Sequence, residues 1–139
     1  MIIAVDFDGT IVRHKFPDIG EEAPHAFRVL QNLQAAGHKL ILYTMRSDEH
    51  QRSYLQEAVE FCHERGIEFW GVNNNPDQSS WTSSPKVYAQ VYIDDLALGV
   101  PIKDGVVDWE QVENILVYHQ MLLGDEKFVI HDGDNGVAL

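Results

Sequence analysis

Short apolar runs alternate along this chain with longer segments in which apolar residues recur every three or four positions. The runs are typical of buried strands, and the longer segments are typical of helices that pack one face against a sheet. The predicted strands lie at Ile2–Val5, 40–43, 67–72 and 91–93, and the predicted helices lie at about 24–36, 48–65 and 108–123. Alternation of this kind favours parallel strands joined by right-handed crossovers. We therefore predict an α/β fold, a single three-layer Rossmann-like domain with a central parallel sheet.

The length of 139 residues is sufficient for one well-buried core and short for two ordinary domains, so we expect a single domain over 1–139. A polar, proline-containing connection at about 11–22 is expected to form a flap. The last segment, about 124–139, combines polar turn residues with a short apolar run at 128–130. We expect this tail to dock, either as an edge strand or against a neighbouring chain.

Charge and cysteine content exclude several classes of function. Ten basic and 22 acidic residues give a net charge of −12, which argues against a nucleic-acid partner. The single cysteine, Cys62, excludes an internal disulfide and a cysteine-based zinc site. Because no apolar run approaches the length of a membrane span and the N-terminus lacks the basic start of a signal peptide, we expect a cytoplasmic protein with no membrane partner.

Two carboxylates directly follow the first predicted strand, at Asp6 and Asp8. Side chains two positions apart on a strand point to the same face, and ligands bind at the carboxyl ends of parallel strands. Two carboxylates this close repel each other, so either one keeps a proton or a cation lies between them. Mg²⁺ prefers oxygen ligands and leaves coordination positions open for a phosphoryl group. The pair therefore predicts phosphoryl-transfer chemistry, with an ordinary Asp-Gly turn as the alternative.

Four later residues fit the same chemistry. Thr44 ends the second predicted strand, Lys86 lies in the connection before the fourth strand, and Asp94 and Asp95 end that fourth strand. Each has an ordinary explanation when taken alone, namely a strand threonine, a solvated lysine and an acidic turn. All of them fall at predicted strand or loop ends around one edge of the sheet. We therefore treat them, together with the first pair, as one candidate site.

These residues resemble the haloacid dehalogenase superfamily of phosphatases, and the match covers most of the chain. The motifs of that family are matched in order by Asp6-Phe7-Asp8-Gly9-Thr10, Thr44, Lys86 and Asp94-Asp95. The resemblance implies that Asp6 is the nucleophile that forms an aspartyl-phosphate and that Asp8 is the general acid and base. Because dehalogenating members do not need an acid at the second position, Asp8 favours hydrolysis of a phosphate monoester.

The resemblance also implies Mg²⁺ as the cofactor. The metal would contact Asp6, the backbone carbonyl of Asp8 and Asp94, with Asp95 supporting it directly or through water. Thr44 and Lys86 would hold the phosphoryl group. Like Asp6 and Asp8, they are therefore expected to be catalytic.

The spacing between the motifs leaves no room for a cap domain, so the chain resembles the capless members of that family. Such members act on large substrates or use a neighbouring subunit to close the site, and a second copy of this chain could do so here. For the substrate we expect a small phosphorylated metabolite. Four basic side chains are candidates for the substrate rim, with a solvated loop or surface cation as the alternative: Arg13, His14, Lys15 and Arg46.

Two alternative functions remain open at this point. A receiver-like phospho-signalling module also uses an acidic pair, a phospho-accepting Asp, a Thr and a Lys at strand ends. In such modules, however, the acidic pair comes first, whereas here a second pair, Asp94-Asp95, follows Lys86. The other alternative is a non-catalytic, metal-binding scaffold with the same fold.

Overall fold

A four-stranded parallel sheet forms the centre of the protein. The computed structural model describes residues 1–123, with side chains described for 1–118, so the expected tail lies outside the described residues. The sheet has the order β3-β2-β1-β4. Its strands are β1 (Ile2–Val5), β2 (Lys39–Leu42), β3 (Gly71–Val72) and β4 (Val91–Ile93), and the helices are α1 (Ala26–Ala35), α2 (Tyr54–His63) and α3 (Trp109–Leu123). The predicted α/β fold with a central parallel sheet is confirmed.

The first strand lies between two neighbours, as its continuous apolar run predicts. Val5 is opposite Leu42 of β2 on one side and Ile93 of β4 on the other. The hydrogen-bond ladder continues one residue past β1, because Asp6 N donates to Ile93 O at 2.9 Å and Tyr43 N donates to Val5 O at 2.8 Å. The carboxyl ends of the three strands therefore meet at one edge.

The two faces of the sheet are covered differently. On one face Ile3, Val5, Leu40 and Leu42 belong to the main core, which also contains buried residues of all three helices. On the other face Ala4 and Ile41 pack with Val87 and Ala89 of the segment that joins β3 to β4. That segment contains a short 3₁₀ helix, Gln78–Ser80. The layer over this face of the sheet is thus an irregular segment rather than a long helix.

Local boundaries differ from the predicted ones where polar contacts decide them. The second helix starts at Tyr54, later than predicted, with Ser53 as its N-cap residue. Asp48 lies before the helix, and its Oδ1 accepts a hydrogen bond from Gln56 N in the first turn at 2.9 Å. The third strand is confined to Gly71–Val72. Asp108 caps the third helix, since its Oδ1 accepts a hydrogen bond from Gln111 N at 3.2 Å.

A hairpin that the sequence analysis missed lies between β4 and α3. It pairs β5 (Ile102–Lys103) with β6 (Val106–Val107), and its two turn residues, Asp104 and Gly105, both have positive φ. Asp-Gly between strand residues is a strong signal for such a turn, and it was available in the sequence. The hairpin supports the first motif, because Val107 N donates to Gly9 O at 3.2 Å.

Across residues 1–123, no helix combines the length and apolar character that a membrane crossing requires.

Candidate active site

The buried hydroxyl of Thr10 joins the ends of β1 and β4. Thr10 Oγ1 donates to Asp6 Oδ2 at 3.0 Å and accepts from Asp95 N at 3.0 Å. The Thr10 carbonyl in turn accepts from the indole N–H of Trp109 at 2.8 Å, and that tryptophan is fully buried at the start of α3. The core therefore holds Asp6 and Asp95 in a defined relation to each other.

Three carboxylates converge at this edge of the sheet. Asp6, Asp94 and Asp95 each offer one oxygen atom, and these oxygens lie within 4.8 Å of one another. Burial, the hydrogen bond to Asp95 and the negative charge of Asp94 together raise the pKa of Asp6 from 3.8 to about 7. This cluster is therefore unfavourable as three free charges, and a divalent cation would relieve the repulsion.

The donor set fits Mg²⁺ in chemistry. Carboxylate oxygens are the ligands that this hard cation takes, and a site with few protein ligands leaves positions for water and phosphate oxygens. The Asp8 carboxylate is not part of the cluster that Asp6, Asp94 and Asp95 form, because it pairs with Arg46. The implied contact between the Asp8 backbone carbonyl and the metal stays a prediction.

Glycine is required beside this cluster. Gly9 has φ of +83°, and a Cβ at this position would overlap the carboxylate of Asp95. A side chain here would be strained by the backbone conformation and would displace a member of the acidic cluster. The turn after β1 and the position of the Asp95 side chain therefore both depend on Gly9.

Asp8 forms a bidentate ion pair with Arg46. Arg46 Nε lies 2.8 Å from Asp8 Oδ2, and Nη2 lies 2.9 Å from Asp8 Oδ1. The remaining guanidinium N–H groups donate to the backbone carbonyls of Pro17, Asp18 and Tyr54 at 3.4, 2.9 and 3.3 Å. All five N–H donors of the group are therefore used.

This pairing corrects the interpretation of Arg46. Its side chain is only 1% exposed, and its guanidinium lies 5.1 and 5.2 Å from the ring centroids of Phe7 and Phe16. The alternative that made Arg46 a surface cation is wrong, and as a substrate contact the residue has no N–H left to offer. Instead, Arg46 connects Asp8 to the flap and to the start of α2.

Seven of the ten predicted site residues line a cavity of about 520 Å³ that opens at the strand ends. Thr44 lies in its wall, where Thr44 Oγ1 accepts from Arg46 N at 3.1 Å and Asn73 Oδ1 accepts from Thr44 N at 2.8 Å. The hydroxyl proton of Thr44 is thus available for a ligand. The complete lining consists of Asp6, Asp8, His14, Phe16, Thr44, Met45, Arg46, Asp94, Asp95 and Leu96.

Three predicted residues are not part of the lining. Arg13 donates from Nη1 to the carbonyl of Asp104 in the hairpin at 2.6 Å, and Lys15 is exposed on the flap. Lys86 is also exposed, with its ammonium 5.8 Å from the ring centroid of Tyr92. Tyr92 lies opposite Ala4, and Asp6 is two positions after Ala4, so all three side chains are on one face of the sheet. Lys86 contacts Tyr92 and is therefore on the same face as Asp6. Its contact with the phosphoryl group stays a prediction.

Comparison with known proteins gives one informative match. No family model and no curated protein matches this chain. The solved structure of a conserved protein coded by a locus of Bacteroides thetaiotaomicron is 41% identical, and the match covers 86% of this chain and 91% of that one, with a TM-score of 0.72. This chain belongs to the same family as that protein. The relationship supports the α/β fold and names no activity.

Sequence reasoning missed several residues of the site. The roles of Thr10 and Trp109 in holding the acidic cluster depend on contacts across 85 and 99 positions. Met45 and Leu96 line the cavity as apolar side chains. The available signal was their position, since each directly follows a predicted site residue.

Proposed function

We propose that this protein hydrolyses phosphate monoesters through an aspartyl-phosphate on Asp6, with Mg²⁺ as its cofactor. One observation carries the proposal: side chains from three strand ends, Asp6, Thr44 and the Asp94-Asp95 pair, line one open cavity, and three of the carboxylates form a cluster suited to a divalent cation. The order of these residues along the chain also resembles the haloacid dehalogenase superfamily. Small phosphorylated metabolites are the proposed substrate class.

The reaction has two steps. An oxygen of Asp6 forms a bond to phosphorus as the ester P–O bond breaks, and the leaving oxygen takes a proton from the carboxylic acid form of Asp8. This step requires that Asp8 first leaves its bidentate contact with Arg46 and takes up a proton from water. Asp8 then accepts a proton from water, whose oxygen bonds to phosphorus as the bond between Asp6 and phosphorus breaks. Inorganic phosphate leaves, Asp6 is again a free carboxylate, and Asp8 again carries the proton that it gave in the first step.

Charge stabilisation comes from groups held in place before the reaction. Bound Mg²⁺ supplies positive charge that screens Asp6 from the phosphate and stabilises the transferring phosphoryl group. Asp94 and Asp95 would hold that ion together with Asp6. The Thr44 hydroxyl can donate to a phosphoryl oxygen, and the Lys86 ammonium is proposed to approach the same group from the face of the sheet that it shares with Asp6.

Metal dependence is the first test. We expect hydrolysis of nitrophenyl phosphate with Mg²⁺, loss of activity with a chelator, and full recovery when Mg²⁺ is restored. Asp94→Asn removes one anionic ligand, so its Mg²⁺ affinity in calorimetric titration should fall by about 10-fold or more. Asp104→Asn in the hairpin turn is the matched control, because Asn also accepts positive φ, and it should bind Mg²⁺ as the wild type does.

Two other outcomes would favour the alternatives. A protein that accepts phosphate from a small phosphodonor but does not turn over would be a receiver-like module. A protein that binds Mg²⁺ but neither accepts nor releases phosphate would be a scaffold. Either result would contradict the proposed hydrolase.

Replacing Asp8 by Asn tests the proposed acid and base. An amide cannot protonate the leaving oxygen, so turnover of an alkyl phosphate should fall by about 10² to 10⁴-fold, and that of nitrophenyl phosphate by much less. The ratio of the two rates within one variant is independent of the fraction of folded protein. An equal loss for both substrates would argue against the acid role.

A further inference from the structure

Large apolar side chains line the mouth of the cavity. Phe16, Met45 and Leu96 come from the flap, from the residue after Thr44 and from the residue after Asp95, and they are 49%, 97% and 88% exposed. Phe16 also contacts Arg46 and the ring of Tyr54, whereas Met45 and Leu96 leave nearly all of their apolar surface in water. Because three separate segments direct apolar surface to the same cavity, this apolar rim (Phe16, Met45 and Leu96) favours a ligand with an apolar face.

The charged side chains of the lining do not suit an anionic leaving group. Arg46 uses all its N–H donors on Asp8 and backbone carbonyls, Arg13 is bound to the hairpin, and Lys15 is outside the lining. His14 is the remaining lining residue able to carry a positive charge in the described part of the chain. The four lining carboxylates already balance the positive charge that Arg46, Lys86 and one divalent cation would supply, before the negative charge of the phosphate itself is added. A second phosphate or a carboxylate on the substrate would therefore face repulsion.

The cavity is also larger than a phosphate group requires. Its volume of about 520 Å³ is within the range of sites that hold a whole small molecule. The acidic cluster and Thr44 lie at the inner end, where the strands end, and the apolar rim lies at the mouth. A bound ester would therefore place its phosphate against the acids and its leaving group against apolar surface.

We propose that the substrates are phosphate monoesters whose leaving group is uncharged and presents an apolar face, such as an aromatic ring, to Phe16, Met45 and Leu96. This inference rests on the proposed function and narrows its substrate class. It assigns Met45 and Leu96 as specificity-determining residues that take no part in the bond-breaking steps.

Three substrates test the proposal: naphthyl phosphate, glycerol phosphate and phosphoglycerate, in which a carboxylate replaces a hydroxymethyl group of glycerol phosphate. We expect kcat/KM to fall in that order for the wild type. Met45→Ser and Leu96→Ser should each lower kcat/KM for naphthyl phosphate by about 10-fold, mainly through KM, and leave glycerol phosphate within about twofold. Leu98→Ser is the matched control, since Leu98 is fully exposed but does not line the cavity.

Each contrary outcome has a distinct meaning. Equal losses for naphthyl and glycerol phosphate, or a wild-type preference for phosphoglycerate, would overturn the inference and leave the hydrolase proposal standing. The inference would also be overturned, and the hydrolase proposal left standing, if Met45→Ser or Leu96→Ser changed the oligomeric state in sedimentation without changing selectivity. The apolar rim would then be an interface between copies of the chain. No hydrolysis of any of the three esters with Mg²⁺ would overturn the proposed function and this inference with it.

Discussion

Asp6→Asn is expected to abolish hydrolysis of phosphate esters, with turnover reduced by at least about 10⁴-fold. The carboxamide has nearly the shape of the carboxylate, but its oxygen is a weak nucleophile toward phosphorus. Its oxygen can still accept the hydrogen bond that Thr10 Oγ1 donates to Asp6 Oδ2 at 3.0 Å. The loss should therefore be chemical rather than structural. Steady-state kinetics with nitrophenyl phosphate measure it, and activity close to that of the wild type would rule out Asp6 as the nucleophile.

Thermal unfolding provides the structural control for Asp6→Asn. Burial and the neighbouring acids raise the pKa of Asp6 from 3.8 to about 7, so the folded protein binds a proton over this pH range that the unfolded chain has released. In a chelator, stability of the wild type due to this group should fall as pH rises from about 4 to about 7. Asp6→Asn lacks the titrating group and should not show this component. Mg²⁺ should restore the thermal stability of the wild type at neutral pH, and it should stabilise the variant less.

Arg46→Met is expected to cause the largest loss of stability among the proposed variants. The change removes the partner of the Asp8 carboxylate and leaves the carbonyls of Pro17, Asp18 and Tyr54 without their donors. Removing one member of a buried ion pair costs about 3–5 kcal/mol of unfolding free energy, and Arg46 is buried with Asp8 only 14% exposed. Urea denaturation followed by circular dichroism measures the change.

Arg52→Met is the matched control for this experiment. Arg52 also makes a two-point ion pair, with Glu57, and it contacts Asp18 of the flap, but its side chain is 34% exposed. Water and salt screen such a pair, so a much smaller loss is expected. Equal denaturation midpoints for the two variants would contradict the role of Arg46 in joining Asp8 to the flap. If Arg46→Met does not fold, Arg46→Lys takes its place in the comparison. Lysine keeps the charge but not the planar fork, so the denaturation midpoint of Arg46→Lys should be lower than that of the wild type.

Much of the fold followed from local pattern. The continuous apolar run at Ile2–Val5 predicted a central strand, and the register places Val5 between Leu42 and Ile93. The positions of Asp6, Thr44 and Asp94 after predicted strands predicted that they would meet, and they line one cavity. These predictions succeeded because parallel strands with helical crossovers bring their carboxyl ends to one edge whatever the detailed packing.

The details of the site depended on contacts between distant positions. Asp8 and Arg46 are 38 positions apart, and nothing near either residue indicated that they pair. The same holds for Trp109, whose indole reaches Thr10 across 99 positions. The hairpin at Asp104-Gly105 was different, because its turn signal was local and was overlooked.

The sequence alone determined the alternation of strands and helices, the central position of β1 and the set of acids at its end, because hydrophobic periodicity and residue order are local properties of the chain. Only the tertiary structure decided that Asp6, Asp94 and Asp95 form the acidic cluster while the carboxylate of Asp8 turns to Arg46. A carboxylate takes whichever cation or donor folding brings within hydrogen-bond distance, and that distance is set by packing across the whole domain.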